Sequence, residues 1–102
     1  MSAYVIAQVR VDDPAAYQKY LAGFWPLLEK HGGELLTISA DETEVLEGDW
    51  ALPQTVVMRF PSRQAAVDWY SDPAYQALSE HRRGSSATNM VIVRGIEATG
   101  GG

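Results

Sequence analysis

One signal occurs twice in this chain and constrains it more than any other feature. Asp13-Pro14 and Asp72-Pro73 each place a side-chain acceptor at a helix N-cap and a proline at the first helical position, where its missing N–H costs nothing. Each is preceded and followed by β-patterned sequence. The simplest arrangement of two such units is a pair of βαβ halves sharing one antiparallel sheet.

The segments fill in this frame. Tyr4 to Val11 alternates, with Val5, Ala7, Val9 and Val11 on one face and Tyr4, Ile6, Gln8 and Arg10 on the other. From Asp13 a helix follows, in which Tyr17, Tyr20, Leu21, Phe24, Leu27, Leu28 and His31 form an apolar stripe, and Gly32-Gly33 supplies the left-handed stop. Pro26 lies within it and predicts a bend near residues 23–26.

Strands are expected over Glu34 to Ala40 and Gln54 to Phe60, with Glu44 to Glu47 a short extension of the first. Ser62 caps a short helix to about Tyr70, and Asp72 launches a second helical piece to about Arg83. Gly84-Ser85-Ser86 reads as a linker and Asn89 to Ile96 as the last strand. The expected fold class is therefore α+β, ferredoxin-like βαββαβ, with a four-stranded antiparallel sheet and the helices on one face. A single domain covers 1–97 and a glycine-rich tail 98–102, because 102 residues leave no room for a second independent core.

Composition excludes several partners. A net charge of -5 argues against nucleic acid, whose binders concentrate basic surface to displace counterions. With no cysteine there is no thiolate metal site and no cysteine nucleophile. No apolar run approaches the roughly 20 residues that span a bilayer, and the first residues carry no signal-peptide pattern, so no membrane partner is expected and a cytoplasmic location is the default. No metal or nucleotide cofactor is expected either, since HExxH, EF-hand, GxGxxG and phosphate-loop patterns are all missing.

With the helices on one face of the sheet, the other should carry Tyr4, Ile6, Val57, Met90 and Ile92, interrupted by Gln8, Arg10, Arg59 and Arg94. A face so apolar predicts a homodimer packed sheet to sheet about a two-fold axis. Glu44, Glu47 and Asp49 of the second copy are then the acids expected to meet those arginines.

Further residues resemble a known family. Val56-Val57-Met58-Arg59-Phe60-Pro61-Ser62-Arg63, then Ala66, Trp69-Tyr70-Ser71-Asp72-Pro73 and Tyr75-Gln76, are similar to the domain-of-unknown-function 1330 family. Asp13-Pro14 with Tyr17 and Tyr20, His31-Gly32-Gly33, the run from Val45 to Trp50, and Val93-Arg94-Gly95 extend the likeness to nearly the whole chain. The resemblance implies the dimeric α+β barrel superfamily, whose relatives include cofactor-free monooxygenases, haem-binding proteins and small isomerases. It implies no activity and no catalytic motif.

Candidate chemistry is thus read from the residues. His81, Arg82 and Arg83 close the second helix, where positive charge complements the helix dipole and is also able to hold an anion. His81 is the candidate base and Arg82 the candidate stabiliser of developing negative charge. Trp69, Tyr70 and Tyr75 are either core or pocket wall, and Trp50 beside an acidic turn covers either a second subunit or a ligand. Two readings follow: a cofactor-free enzyme acting on a small aromatic or enolisable substrate, or a non-catalytic small-molecule-binding or stress-associated dimer. Haem held by His31 or His81 is a third.

Overall fold

Period-two alternation decides the faces of the first strand, β1 (Ala3–Val11), in the computed structural model, which describes residues 1–96. Ala3, Val5, Ala7 and Val9 are buried, while Tyr4, Ile6 and Gln8 between them are half-buried. Glu97 and the expected tail at 98–102 lie outside the described residues.

After β1 come α1 (Pro14–Lys30), β2 (Glu34–Ser39), β3 (Gln54–Phe60), α2 (Arg63–Ser71), α3 (Pro73–Ser85) and β4 (Ser86–Arg94). The strands form one antiparallel sheet in the order β2-β3-β1-β4, so the two strands of the outer halves flank a central β3–β1 pair. This is the ferredoxin-like α+β fold.

Both Asp-Pro signals act as read. Asp13 accepts from the Ala16 N–H at 3.2 Å, and Asp72 accepts from the Ala74 N–H at 2.9 Å while ending α2 through its own N–H to the Trp69 carbonyl. Helix α1 is continuous across Pro26. It stops in a Schellman motif, where Gly32 takes φ +72°, its N–H donates to the Glu29 carbonyl and the Gly33 N–H donates to that of Leu28. At the crossing with α3, a Cβ on Gly23 would sit 2.8 Å from Leu78 Cδ1, so a glycine lets the two helices close.

The core lies between the helices and the sheet, where Val5, Met58, Phe60, Trp69 and Tyr75 are almost fully buried. Trp69 packs on Tyr75 with ring centroids 4.2 Å apart and on Phe60 at 5.3 Å. Each such side chain contributes about 1.5–3 kcal/mol by leaving water.

Three expectations need correction. Met90 and Ile92 stand opposite Ala7 and Val5, so they face the helices, and Val91 and Val93 take their places on the outer face; Arg94, opposite Ala3, also belongs to the helix side. Residues 90–93 are all apolar, so period alone gave no phase. The segment Glu44 to Glu47 is not a strand: after β2 ends at Ser39 the chain turns, with the Thr43 hydroxyl donating to the Ser39 carbonyl at 3.0 Å, and does not resume pairing before β3. No linker stands at Gly84-Ser85-Ser86: α3 runs to Ser85 and β4 starts at Ser86. The Ser85 and Ser86 hydroxyls donate to the His81 and Arg82 carbonyls, both at 2.6 Å, and satisfy the last helical turn without a loop.

Candidate functional site

Helix α3 buries Tyr75, Ser79, Arg82 and Ser85, a stripe at spacings of four, three and three. Two of these are unremarkable in an interior: Ser79 donates to the Tyr75 carbonyl at 2.8 Å, and the Tyr75 hydroxyl shares a 2.7 Å hydrogen bond with Tyr20 of α1. Arg82 is different. It is 6% exposed, its guanidinium lies 5.6 Å above the Tyr20 ring, and its Nε has no hydrogen-bond partner. Among the described residues no carboxylate pairs with it.

That absence is costly. A buried cation without a counter-ion loses hydration that a single ring face only partly replaces. Three other cations have a carboxylate: Arg10 holds Asp12 at 2.9 Å, Arg59 holds Glu34 at 2.8 Å, and Lys30 holds Asp72 at 2.9 Å, while Lys19, Arg63, Arg83 and Arg94 are exposed to water. Arg10 and Arg59 thus each have an acid within their own chain.

Arg82 lines two spaces. One is an apolar cavity of about 30 Å³ between α1 and the sheet, walled by Tyr17, Tyr20, Phe24, Val56 and Met58 and large enough for about one water. Burial raises the Tyr17 and Tyr20 phenols above their usual range, with Arg82 opposing the rise, so both hydroxyls stay protonated as donors. The other is an open cleft of about 410 Å³ between α3 and β4, lined by Tyr70, Arg82, Arg83, Ser86, Thr88 and Met90. It shares Tyr70 and Met90 with a neighbouring cleft of about 400 Å³ that reaches Arg63, Trp69 and Ile92.

A family model described as Domain of unknown function (DUF1330) matches residues 2–96. The chain belongs to the DUF1330 family. No curated protein matches its sequence. Among solved structures, the RPA0582 protein of unknown function from Rhodopseudomonas palustris is similar over 94% of this chain and 83% of its own, with 18% identity and a TM-score of 0.76. SnoaB, a cofactor-independent oxygenase from Streptomyces nogalater, covers 97% of each chain at 12% identity and a TM-score of 0.65. A dimeric ferredoxin-like protein of unknown function from Jannaschia sp. CCS1 covers 93% of this chain and 100% of its own at 11% identity and 0.64. At these identities the likeness is one of fold.

In this DUF1330 chain the residues read as a site do not all meet. Arg82, Arg83 and Tyr70 converge on the α3–β4 cleft, with Trp69 along its continuation. Tyr75 is wholly buried and serves as the hydroxyl partner of Tyr20. His81 is exposed and does not line the cleft beside its neighbour Arg82. Trp50 is on the other side of the sheet: its indole donates to Thr55 at 3.0 Å, and Thr55 stands opposite Gln8 on the outer face.

His31, which ends α1, is part of a clasp. Its Nε2 lies 2.8 Å from Asp72 Oδ2, and the ionised carboxylate only accepts, so the imidazole donates. Lys30 donates to the same oxygen at 2.9 Å. These bonds and the Ala74 N–H hold the Asp72 carboxyl well below the usual carboxylate range. The clasp ties the end of α1 to the α2–α3 junction.

Sequence reasoning took Tyr17 and Tyr20 as plain core, Met90 as part of the outer sheet face and Ser86 as linker, and gave neither Arg63 nor Thr88 a place in a site. A legible signal existed for Arg82 itself: a charged residue on the buried phase of a helix that already commits Tyr75 and Ser79. Among the described residues no three His, Asp or Glu side chains lie close enough together to hold a metal ion. No described helix is long and apolar enough to cross a membrane.

Proposed function

We propose that the chain is a homodimer, packed through the outer face of its sheet, in which each protomer binds a small aromatic or enolisable molecule on the helix side and acts on it as a cofactor-free enzyme. The observation that carries this reading is the buried, uncompensated Arg82 set against Tyr20. A cation kept this way stabilises negative charge that develops on a substrate, as in an enolate. Tyr20, its hydroxyl shared with Tyr75, backs the guanidinium from the core side, away from the cleft.

The outer face supports the dimer: Val91 is 53% exposed and Val93 39%, beside half-buried Tyr4, Ile6 and Val57. A dimeric relative and a cofactor-independent oxygenase share the fold and lend the reading its analogy.

Phenylpyruvate, aromatic and enolisable, is the probe. Exchange of its benzylic protons in D2O, followed by NMR, is expected to run faster with the protein than in buffer, and to fall at least about tenfold with Arg82→Gln. His81→Ala is expected to leave it unchanged, because that imidazole is exposed and outside the cleft. No acceleration by the wild type overturns the enzyme reading.

Binding without turnover is the second reading. It is favoured by the state of the titrating groups beside Arg82, which are tyrosines that burial keeps protonated and so are no bases at neutral pH.

A further inference from the structure

Two buried side-chain donors lack partners among the described residues, Arg82 Nε and Trp69 Nε1, and both residues line the same groove between α2–α3 and β4. The groove has two lobes that meet at Tyr70 and Met90. Its charge runs against that of the molecule. In a chain of net charge -5, it is lined by Arg63, Arg82 and Arg83, three of the eight basic side chains, and by no Asp or Glu.

From this juxtaposition we infer that the groove recognises a small organic carboxylate, its charged end held by Arg82 and Arg83 and its apolar body laid along Tyr70 and Met90 toward Trp69. This rests on the reading that a small molecule occupies the helix side of the sheet, and adds what that molecule must carry.

The geometry is set in advance at the charged end. Arg83 Nη2 donates to Gln76 Oε1 at 2.6 Å, and Gln76 Nε2 donates to the Tyr70 carbonyl at 2.6 Å, so an exposed arginine is pinned at the cleft mouth beside the buried one. A pinned guanidinium loses less entropy on binding, and its planar fork matches a carboxylate. Thr88, 3.3 Å from Ser86, donates its proton to the Ser86 hydroxyl, since Ser86 spends its own on the Arg82 carbonyl, so the two hydroxyls form a fixed polar wall of the cleft and the arginines are left to hold the charge.

The second lobe is apolar apart from Arg63 and the indole, with Val5, Met90 and Ile92 on its walls. That favours a carboxylate with an organic body over inorganic phosphate. Trp69 itself is wholly buried, so its N–H is reached only when a side chain of that wall gives way.

The test is calorimetric titration of the full chain with benzoate, the neutral isostere benzamide, and inorganic phosphate. Benzoate is expected to bind at least about tenfold more tightly than benzamide or phosphate, and to lose at least about tenfold with Arg82→Gln. Arg83→Gln, at an exposed position, is expected to lose about threefold or more, and keeps the test decisive if the Arg82 variant fails to fold. Equal binding of benzoate and benzamide overturns the carboxylate inference and leaves the small-molecule reading standing. Phosphate binding without benzoate binding overturns it in favour of an inorganic oxyanion. No binding of any of the three overturns it too, while phenylpyruvate exchange judges the enzyme reading separately.

Discussion

The hydroxyls of Tyr20 and Tyr75 share a 2.7 Å hydrogen bond in the core, joining α1 to α3 directly beneath the Arg82 guanidinium. Both side chains are nearly excluded from water, at 4% and 0% exposure, so neither hydroxyl has a ready substitute. Tyr20→Phe or Tyr75→Phe alone strands the other and is expected to cost about 1–3 kcal/mol in urea unfolding. The double Phe variant is expected to cost less than the sum, and additive losses would show that the pair is not coupled.

Asp72 makes stability depend on acid. Its carboxyl is held low by His31, then Lys30, then the Ala74 N–H, so the unfolded chain takes up the proton first as pH falls. The contribution is fully present above the unfolded value of about 4 and is lost as pH falls below it toward the depressed folded value. Urea midpoints are expected to drop over that range in the wild type, and Asp72→Asn is expected to flatten the drop. An unchanged acid limb in Asp72→Asn would contradict the clasp.

Gly33 and Gly32 stop α1 for different reasons, and substitution separates them. A Cβ on Gly33 meets the Leu28 side chain and lies 2.7 Å from Phe60 Cε1, an overpacking that costs about 1–3 kcal/mol. Gly32→Ala meets only Pro61 at 3.3 Å but must hold φ +72°, which costs about 1–2 kcal/mol. Thermal unfolding of the two variants is expected to show both destabilised, and a neutral Gly33→Ala would contradict the packing at the helix end.

On the outer face, Val91 stands opposite Ile6 and is 53% exposed in one protomer. Val91→Lys would place like charges at a two-fold interface, so light scattering is expected to move from dimer to monomer with the circular dichroism spectrum unchanged. A wild-type monomer, or a Val91→Lys dimer, would contradict the sheet-face dimer.

Much of this fold was legible because several local signals agree with one another. The Asp-Pro caps, the Gly32-Gly33 stop and the alternation of β1 and β3 all point to the same sheet and helices. What escaped was phase. The uninterrupted apolar run at 90–93 leaves the faces of β4 undecided until pairing with β1 sets Met90 and Ile92 inward. In His81-Arg82-Arg83 three nitrogen-bearing neighbours look alike in sequence, yet the turn of α3 sends Arg82 into the core and leaves the other two exposed. Trp50 was separated from Trp69 and Tyr70 by the sheet itself, a distinction between its two sides that local sequence around an acidic turn does not carry.

The central claim is that Arg82, which has no counter-ion among the described residues, takes one from a ligand. The side-chain Nε–H resonance of Arg82 in 15N-labelled protein, assigned by its loss in Arg82→Gln and titrated with benzoate, tests this most directly. The account predicts a saturable shift with benzoate and none with benzamide. A resonance that benzoate leaves unmoved, already protected from solvent exchange without ligand, would mean that the protein itself supplies the missing anion, and would contradict the account.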